Sequence, residues 1–120
     1  MKGEALYVFR SRILDCMNFA LLHAPDEFPP ECKTDLETVR REVLSNMAEL
    51  RRTLKTKDQV TWHTMAEQEA KAAFDAFASG DRNRGAYMIQ RAEEHFRRSF
   101  RHKKIRPGFV VGSDGQAVKT

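Results

Sequence analysis

The sequence predicts an all-α fold, a small antiparallel bundle of about four helices with a short flexible C-terminal tail. Apolar residues recur at helical spacing in four segments, and residues that cap or break helices stand between these segments. Only residues 109–111 resemble a strand, and no second such segment is present to pair with them. We therefore expect one bundle domain over residues 1–106 and a tail over residues 107–120. A chain of 120 residues can bury one core without a metal or a disulfide.

The first helix is predicted over Gly3–His23, because its apolar residues share one face and prolines follow it. The second half of this helix is apolar nearly all round, so it is either central in the core or part of an interface. For the interface interpretation, Phe19 and Leu22 are the candidate protein-contact residues. Residues 24–32 are predicted to form an acidic loop. The predicted core face consists of Leu6, Phe9, Ile13, Met17 and Ala20.

The second helix is predicted to begin at a capping box, in which Thr34 and Glu37 satisfy each other's backbone N–H groups. Its spacing of three and four residues makes it the clearest amphipathic helix in the chain. Its predicted apolar residues are Leu36, Val39, Val43, Met47, Leu50 and Leu54.

Two short connections are predicted to place the second, third and fourth helices side by side. Thr56 and Gln59 form a second capping box, which begins the third helix. Gly80 suits a left-handed position after that helix, and Asp81 suits the N-cap of the next. The predicted inward residues are Trp62, Met65, Ala66, Ala70, Ala73, Phe74 and Phe77 on the third helix, and Ala86, Ile89, Ala92, Phe96 and Phe100 on the fourth.

Residues 73–92 resemble one tetratricopeptide hairpin in their turn and in the placement of small residues. The resemblance implies helix–turn–helix packing only. No second copy follows at a period of about 34 residues, and Arg97 stands where the motif has its terminal proline.

The chain carries its positive charge mainly in its fourth helical segment. Residues 58–80 have a net charge of −3, whereas residues 81–106 have a net charge of +6. Cations at helical spacing can reach the phosphates of one backbone, and neighbouring rings can stack on bases. The alternative is that Phe96 and Phe100 anchor the core while the arginines pair with Glu93, Glu94 or the acidic loop. The candidate residues for an anionic partner are Arg91, Arg97, Arg98, Arg101, Lys103, Lys104 and Arg106.

These residues favour a non-enzymatic accessory or structural subunit that binds nucleic acid or sits in a nucleoprotein complex. In size and chemistry the chain resembles the helical small subunits of RNA-guided CRISPR interference complexes, which line a nucleic-acid path with basic faces. The alternative is a helical adaptor or inhibitor that recognises an acidic protein surface without nucleic-acid contact. The oligomeric state stays open.

Other function classes lack support in the sequence. No G-x-S-x-G elbow, phosphate-binding glycine loop or H-E-x-x-H pair is present, so we expect no enzyme activity, no cofactor and no metal. His63 and Glu67 have a one-turn spacing, but two ligands do not make a site, and His63 is expected at the surface. Cys16 and Cys32 show no metal or redox spacing, which is typical of free thiols in a reducing compartment. Charges interrupt the apolar N-terminus, so we expect no membrane association and a cytoplasmic location.

Overall fold

A computed structural model of the protein describes residues 3–100, with side chains described from residue 6 onward. Four α-helices form a bundle, and no strand is present within this range. This confirms the predicted all-α fold. The helices are α1 (Gly3–His23), α2 (Leu36–Arg51), α3 (Lys57–Ala78) and α4 (Arg82–Arg98), with a short 3₁₀ helix at Pro30–Cys32. The predicted tail and the domain boundary at residue 106 lie outside the described residues.

The α3–α4 hairpin forms the largest helix–helix interface. Trp62, near the start of α3, lies 5.3 Å from His95, while Phe77, near the end of α3, packs against Gly85. The start of α3 therefore contacts the end of α4, and the end of α3 contacts the start of α4, so the two helices are antiparallel. Helix α1 packs on α2 and α4, and α2 packs on α3, so the four helices enclose one core. The largest fully buried apolar side chains are those of Phe74, Phe77, Phe96, Ile13, Met17, Met47, Leu50, Ile89 and Val43.

Hydrogen bonds and backbone conformations between near neighbours fix the start of α3 and the turn between α3 and α4. The Thr56 hydroxyl accepts a hydrogen bond of 3.0 Å from the Gln59 backbone N–H, and the Gln59 side-chain oxygen accepts one of 3.1 Å from the Thr56 N–H. Gly80 adopts φ of +89°, a conformation that costs glycine little because it has no Cβ. The Asp81 side chain accepts from the Arg84 N–H at 3.1 Å. These three sequence predictions are confirmed.

The predicted capping box at Thr34 is wrong by one residue. Asp35 is the N-cap of α2, with an extended backbone and a carboxylate oxygen that accepts from the Thr38 N–H at 2.8 Å. Lys33 has a left-handed conformation with φ of +50°, which ends the 3₁₀ helix. The helix also ends earlier than predicted, at Arg51, so Leu54 lies in the connection to α3, where it is half-buried.

The apolar second half of α1 divides between the core and the surface. Met17 and Ala20 are buried in the core. Phe19 is half-buried, with its ring 4.8 Å from that of His23 and 5.5 Å from that of Phe28. Leu22 is 56% exposed. Of the two predicted interface residues, therefore, Phe19 packs largely within the chain and Leu22 faces outward.

The expectation that His63 lies at the surface is wrong, because it is fully buried between α2 and α4. Its Nε2–H donates a hydrogen bond of 2.7 Å to the Met47 carbonyl oxygen, while Nδ1 is buried without a partner. Burial lowers the pKa of His63 from its usual value, since a protonated ring would carry a charge and a second N–H donor into the core. The apolar stripe on either side of His63 gives no sign of the Met47 contact, which is long-range.

None of the helices within residues 3–100 combines the length and the apolar character needed to cross a membrane.

Candidate anion-binding surface

Three of the seven predicted anion-binding residues lie within the described range. Arg91, Arg97 and Arg98 are all on α4, with side chains that are 45%, 51% and 43% exposed. The other four, Arg101, Lys103, Lys104 and Arg106, lie outside the described residues. They hold +4 of the predicted charge, and residues 81–100 hold only +2.

Arg84, Arg91 and Arg98 follow one another along α4 at intervals of seven residues. A seven-residue step nearly completes two helical turns and advances about 10.5 Å, so the three arginines form a line on one side of the helix. We call this line the arginine stripe. Arg97 lies about 100° around the helix from Arg98 and is not part of it. Arg84 was not among the predicted site residues, although the seven-residue spacing would have revealed it.

Carboxylates neutralise much of this surface. Arg91 donates to Glu69 of α3 at 3.1 Å, and Arg98 donates to Glu94 at 3.0 Å, whereas Arg97 lies 3.8 Å from Glu93. The hydrogen bond to Glu69 raises the pKa of Arg91 above its usual value. The sequence alternative in which the arginines pair with Glu93 and Glu94 is therefore observed for Arg97 and Arg98.

Helix α4 also pairs with the acidic loop through Arg82, which lies 3.1 Å from Glu27. The pairs Arg82–Glu27 and Arg98–Glu94 are exposed on both sides, and such pairs are typically worth under about 1 kcal/mol each, so an anionic ligand can replace them at small cost.

His95 does not belong to the exposed basic surface that its position in the sequence suggested. It is only 8% exposed, and its Nδ1–H donates to the Glu69 carboxylate at 2.6 Å. Glu69 thus holds His95 with one oxygen and Arg91 with the other. Because α3 contributes this carboxylate, the acidic and basic segments of the sequence meet across the α3–α4 interface.

The rings beside the stripe are not the ones that the sequence indicated. Phe96 is fully buried and Phe100 is half-buried, so both serve the core. Instead, Tyr87 is 56% exposed and lies 5.8 Å from the Arg91 guanidinium carbon, and Trp62 of α3 lies 5.0 Å from that of Arg98. Aromatic and cationic groups therefore alternate along the described part of α4.

An open cavity of about 620 Å³ lies where the stripe ends at Arg98. We call it the Trp62 cavity. Arg10 of α1 contributes a half-buried guanidinium that lies 4.3 Å from the Phe100 ring centre, and its Nε is buried without a hydrogen-bond partner. Burial lowers the pKa of Arg10 from its usual value. The cavity is lined by Leu6, Arg10, Thr53, Leu54, Lys55, Thr56, Asp58, Gln59, Trp62 and Arg98.

A second, shallower cavity of about 400 Å³ lies between α1 and α2 and contains both cysteines. Both thiols are free, with Cys16 half-buried and Cys32 exposed. Burial, together with Glu42 and Asp15, raises the pKa of the Cys16 thiol. Among residues 3–100, no three histidine, cysteine or carboxylate side chains are grouped so that they could hold a metal ion.

Comparison of the chain with protein-family models, with curated proteins and with solved structures finds no match.

Proposed function

We propose that the protein is a non-enzymatic accessory subunit that binds single-stranded nucleic acid along the arginine stripe of α4. The observation that carries this proposal is the pairing of two stripe arginines with aromatic rings, Arg91 with exposed Tyr87 and Arg98 with half-buried Trp62. Proteins that bind single strands combine cations for the backbone with aromatic rings on which bases stack.

The geometry suits a strand that follows the length of α4. The arginine stripe covers about 21 Å from Arg84 to Arg98. Arg84 is exposed at one end and makes no ion pair within 4.0 Å among the described residues. The sequence carries four more cations within residues 101–106, which lie outside the described residues.

The competing carboxylates set the strength of this binding. A phosphate that approaches Arg98 must replace Glu94, which is itself exposed. Glu69 is harder to displace from Arg91, because its side chain is only 13% exposed and also accepts from His95. We therefore expect moderate affinity, strong dependence on salt, and Arg84 and Arg98 as the main phosphate contacts.

A helical adaptor that recognises an acidic protein surface is the alternative proposal. The interleaved Glu69, Glu93 and Glu94 support it, because an acidic protein surface can place its carboxylates opposite single arginines and away from these glutamates, whereas a polyphosphate is charged at every step. Leu22 supplies an exposed apolar residue on α1 for such a contact.

A salt-dependent binding series tests the proposal. Fluorescently labelled single- and double-stranded DNA and RNA are titrated with the full chain and with the triple variant Arg84→Ala, Arg91→Ala and Arg98→Ala. The matched control removes the same charge from α2 and its C-cap residue through Arg40→Ala, Arg41→Ala and Arg52→Ala. We expect the stripe variant to flatten the slope of log affinity against log salt by about 1.4 units if only Arg84 and Arg98 contact phosphates, and by about 2.1 units if Arg91 does so too, since each lost contact contributes about 0.7 for a single strand.

The control variant should keep the slope of the unmodified chain. Equal loss in both variants would show a general charge effect and refute the stripe. Tight binding of a defined acidic protein, with no competition from excess polynucleotide, would favour the adaptor instead.

A further inference from the structure

The Trp62 cavity concentrates positive charge that the fold neutralises only at Arg98, through Glu94. Arg10, Lys55 and Arg98 line it, against the single carboxylate of Asp58. Within residues 6–100, neither Arg10 nor Lys55 has a carboxylate oxygen within 4.0 Å. These cations come from α1, the α2–α3 connection and α4, so the fold brings them together from distant parts of the sequence.

Arg10 is the least satisfied of these cations. Its guanidinium is partly withdrawn from water against the ring of Phe100, and its Nε–H meets no acceptor in the described structure. A desolvated cation without a carboxylate partner is costly, and an anion in the cavity recovers part of that cost through a charge-assisted hydrogen bond from the terminal guanidinium nitrogens, since Nε itself is shielded from solvent.

The remaining wall of the cavity is polar at Thr53, Thr56 and Gln59, and elsewhere it is apolar and aromatic. Leu6, Leu54 and Trp62 line it together with the cations. A volume of about 620 Å³ falls within the range of about 300–1,000 Å³ that small-molecule sites occupy. A ligand that fills this space must therefore combine an anionic group with a flat or apolar body.

We propose that the Trp62 cavity binds one nucleotide, with its phosphate held by Arg10, Lys55 and Arg98 and its base against Leu6, Leu54 and Trp62. The inference deepens the proposed function, on which it rests for the source of the nucleotide, since Arg98 ends the stripe and also lines the cavity. A strand that follows α4 would deliver its terminal nucleotide here. Arg10 and Lys55 contribute only to the cavity, so the two sites can be tested separately.

Trp62 is the only tryptophan of the chain, so its fluorescence and its indole N–H resonance report directly on this cavity. The full chain is titrated at low salt with uridine monophosphate, uridine, inorganic phosphate and a 5′-phosphorylated oligonucleotide. We expect uridine monophosphate to change the Trp62 signals at lower concentration than either uridine or inorganic phosphate.

Variants then assign the phosphate contacts. Lys55→Ala and Arg10→Gln should each weaken uridine monophosphate binding about tenfold or more, because each removes a charge-assisted hydrogen bond. Lys57→Ala is the matched control, since Lys57 is exposed and lies two residues from Lys55 but does not line the cavity. It should change the affinity less than about twofold. Lys55 is exposed, so Lys55→Ala remains informative even if Arg10→Gln disturbs the fold.

The outcomes separate the two proposals. Uridine binding as tightly as its monophosphate, an unchanged affinity in Lys55→Ala, or silent Trp62 signals up to about 10 mM ligand would overturn the nucleotide site. If oligonucleotide binding still depends on the arginine stripe in that case, the proposed function stands without the cavity. If the monophosphate binds but the oligonucleotide does not, the cavity is a site for free nucleotides and the strand-binding function fails.

Discussion

Gly85 of α4 packs against the Phe77 ring of α3, so a single added methyl group tests the packing of the hairpin. A Cβ at this position would lie 2.5 Å from Cδ1 and Cε1 of the Phe77 ring, well inside contact distance. Phe77 is only 1% exposed and packs edge-on against Phe74, with 6.3 Å between the ring centroids. The ring therefore cannot swing into solvent to make room for Gly85→Ala.

Two opposing effects set the size of the change. Alanine in place of glycine within a helix gains about 1 kcal/mol from helix propensity. Overpacking a well-filled core costs about 1–3 kcal/mol. Because three ring atoms are met at once, we expect the upper part of that cost and a net destabilisation of about 1–2 kcal/mol. For a domain of this size, such a loss lowers Tm by roughly 4–16 °C.

Urea and thermal unfolding followed by circular dichroism measure the effect. The control is Asn83→Ala, an exposed position in the same turn, which should be neutral or slightly stabilising because it gains propensity without a contact. In the double variant with Phe77→Leu, the cost of Gly85→Ala should shrink, because the shorter side chain leaves space. A Gly85→Ala protein as stable as the unmodified chain would refute this account of the hairpin.

Three further predictions concern His63, the start of α3 and the cysteines. Because burial lowers the folded-state pKa of His63, the unfolded chain binds its proton first as the pH falls below about 6.5, so stability should drop there by at most about 1.4 kcal/mol per pH unit. Urea unfolding between pH 7.5 and 5.5 checks this, and His63→Gln should remove that part of the slope; an identical slope in both proteins would contradict the buried neutral ring. Thr56→Ala removes the hydroxyl half of the capping box and should cost about 1 kcal/mol, whereas Thr61→Ala, exposed on the same helix, should cost less; equal losses would show that the cap contributes nothing. A maleimide should modify exposed Cys32 faster than half-buried Cys16, whose thiol pKa is raised. Mass spectrometry measures the rate for each thiol alone in the Cys32→Ser and Cys16→Ser variants, and faster modification of Cys16 would contradict the prediction.

The sequence predicted the features of this fold that depend on neighbouring residues. The capping box at Thr56, the left-handed Gly80 and the Asp81 cap all require only residues within one turn of each other. The cap of α2 was misplaced because Thr34 and Asp35 are adjacent and both can cap. The choice between them depends on how the chain leaves the 3₁₀ helix at Lys33, which the spacing of residues does not reveal.

The candidate site was less predictable, because its electrostatics depend on contacts between distant residues. Glu69 precedes Arg91 by 22 residues and His95 by 26, so nothing local indicates that one carboxylate serves both. The contacts of the Arg98 guanidinium with the Trp62 ring, and of the Arg10 guanidinium with the Phe100 ring, likewise join residues that are far apart in the sequence. A charge count along the chain therefore overstates the positive field of α4, because part of it is cancelled across the hairpin.

The packing of α1 has a consequence for biosynthesis. The buried residues of α1, among them Ile13 and Met17, are covered by α2 and by α4, and α4 leaves the ribosome after the other three described helices. Until α4 has been translated, part of the apolar face of α1 stays uncovered. The nascent chain therefore exposes this apolar surface for several seconds at ordinary elongation rates. Helix α1 thus completes its burial only after α4 has emerged.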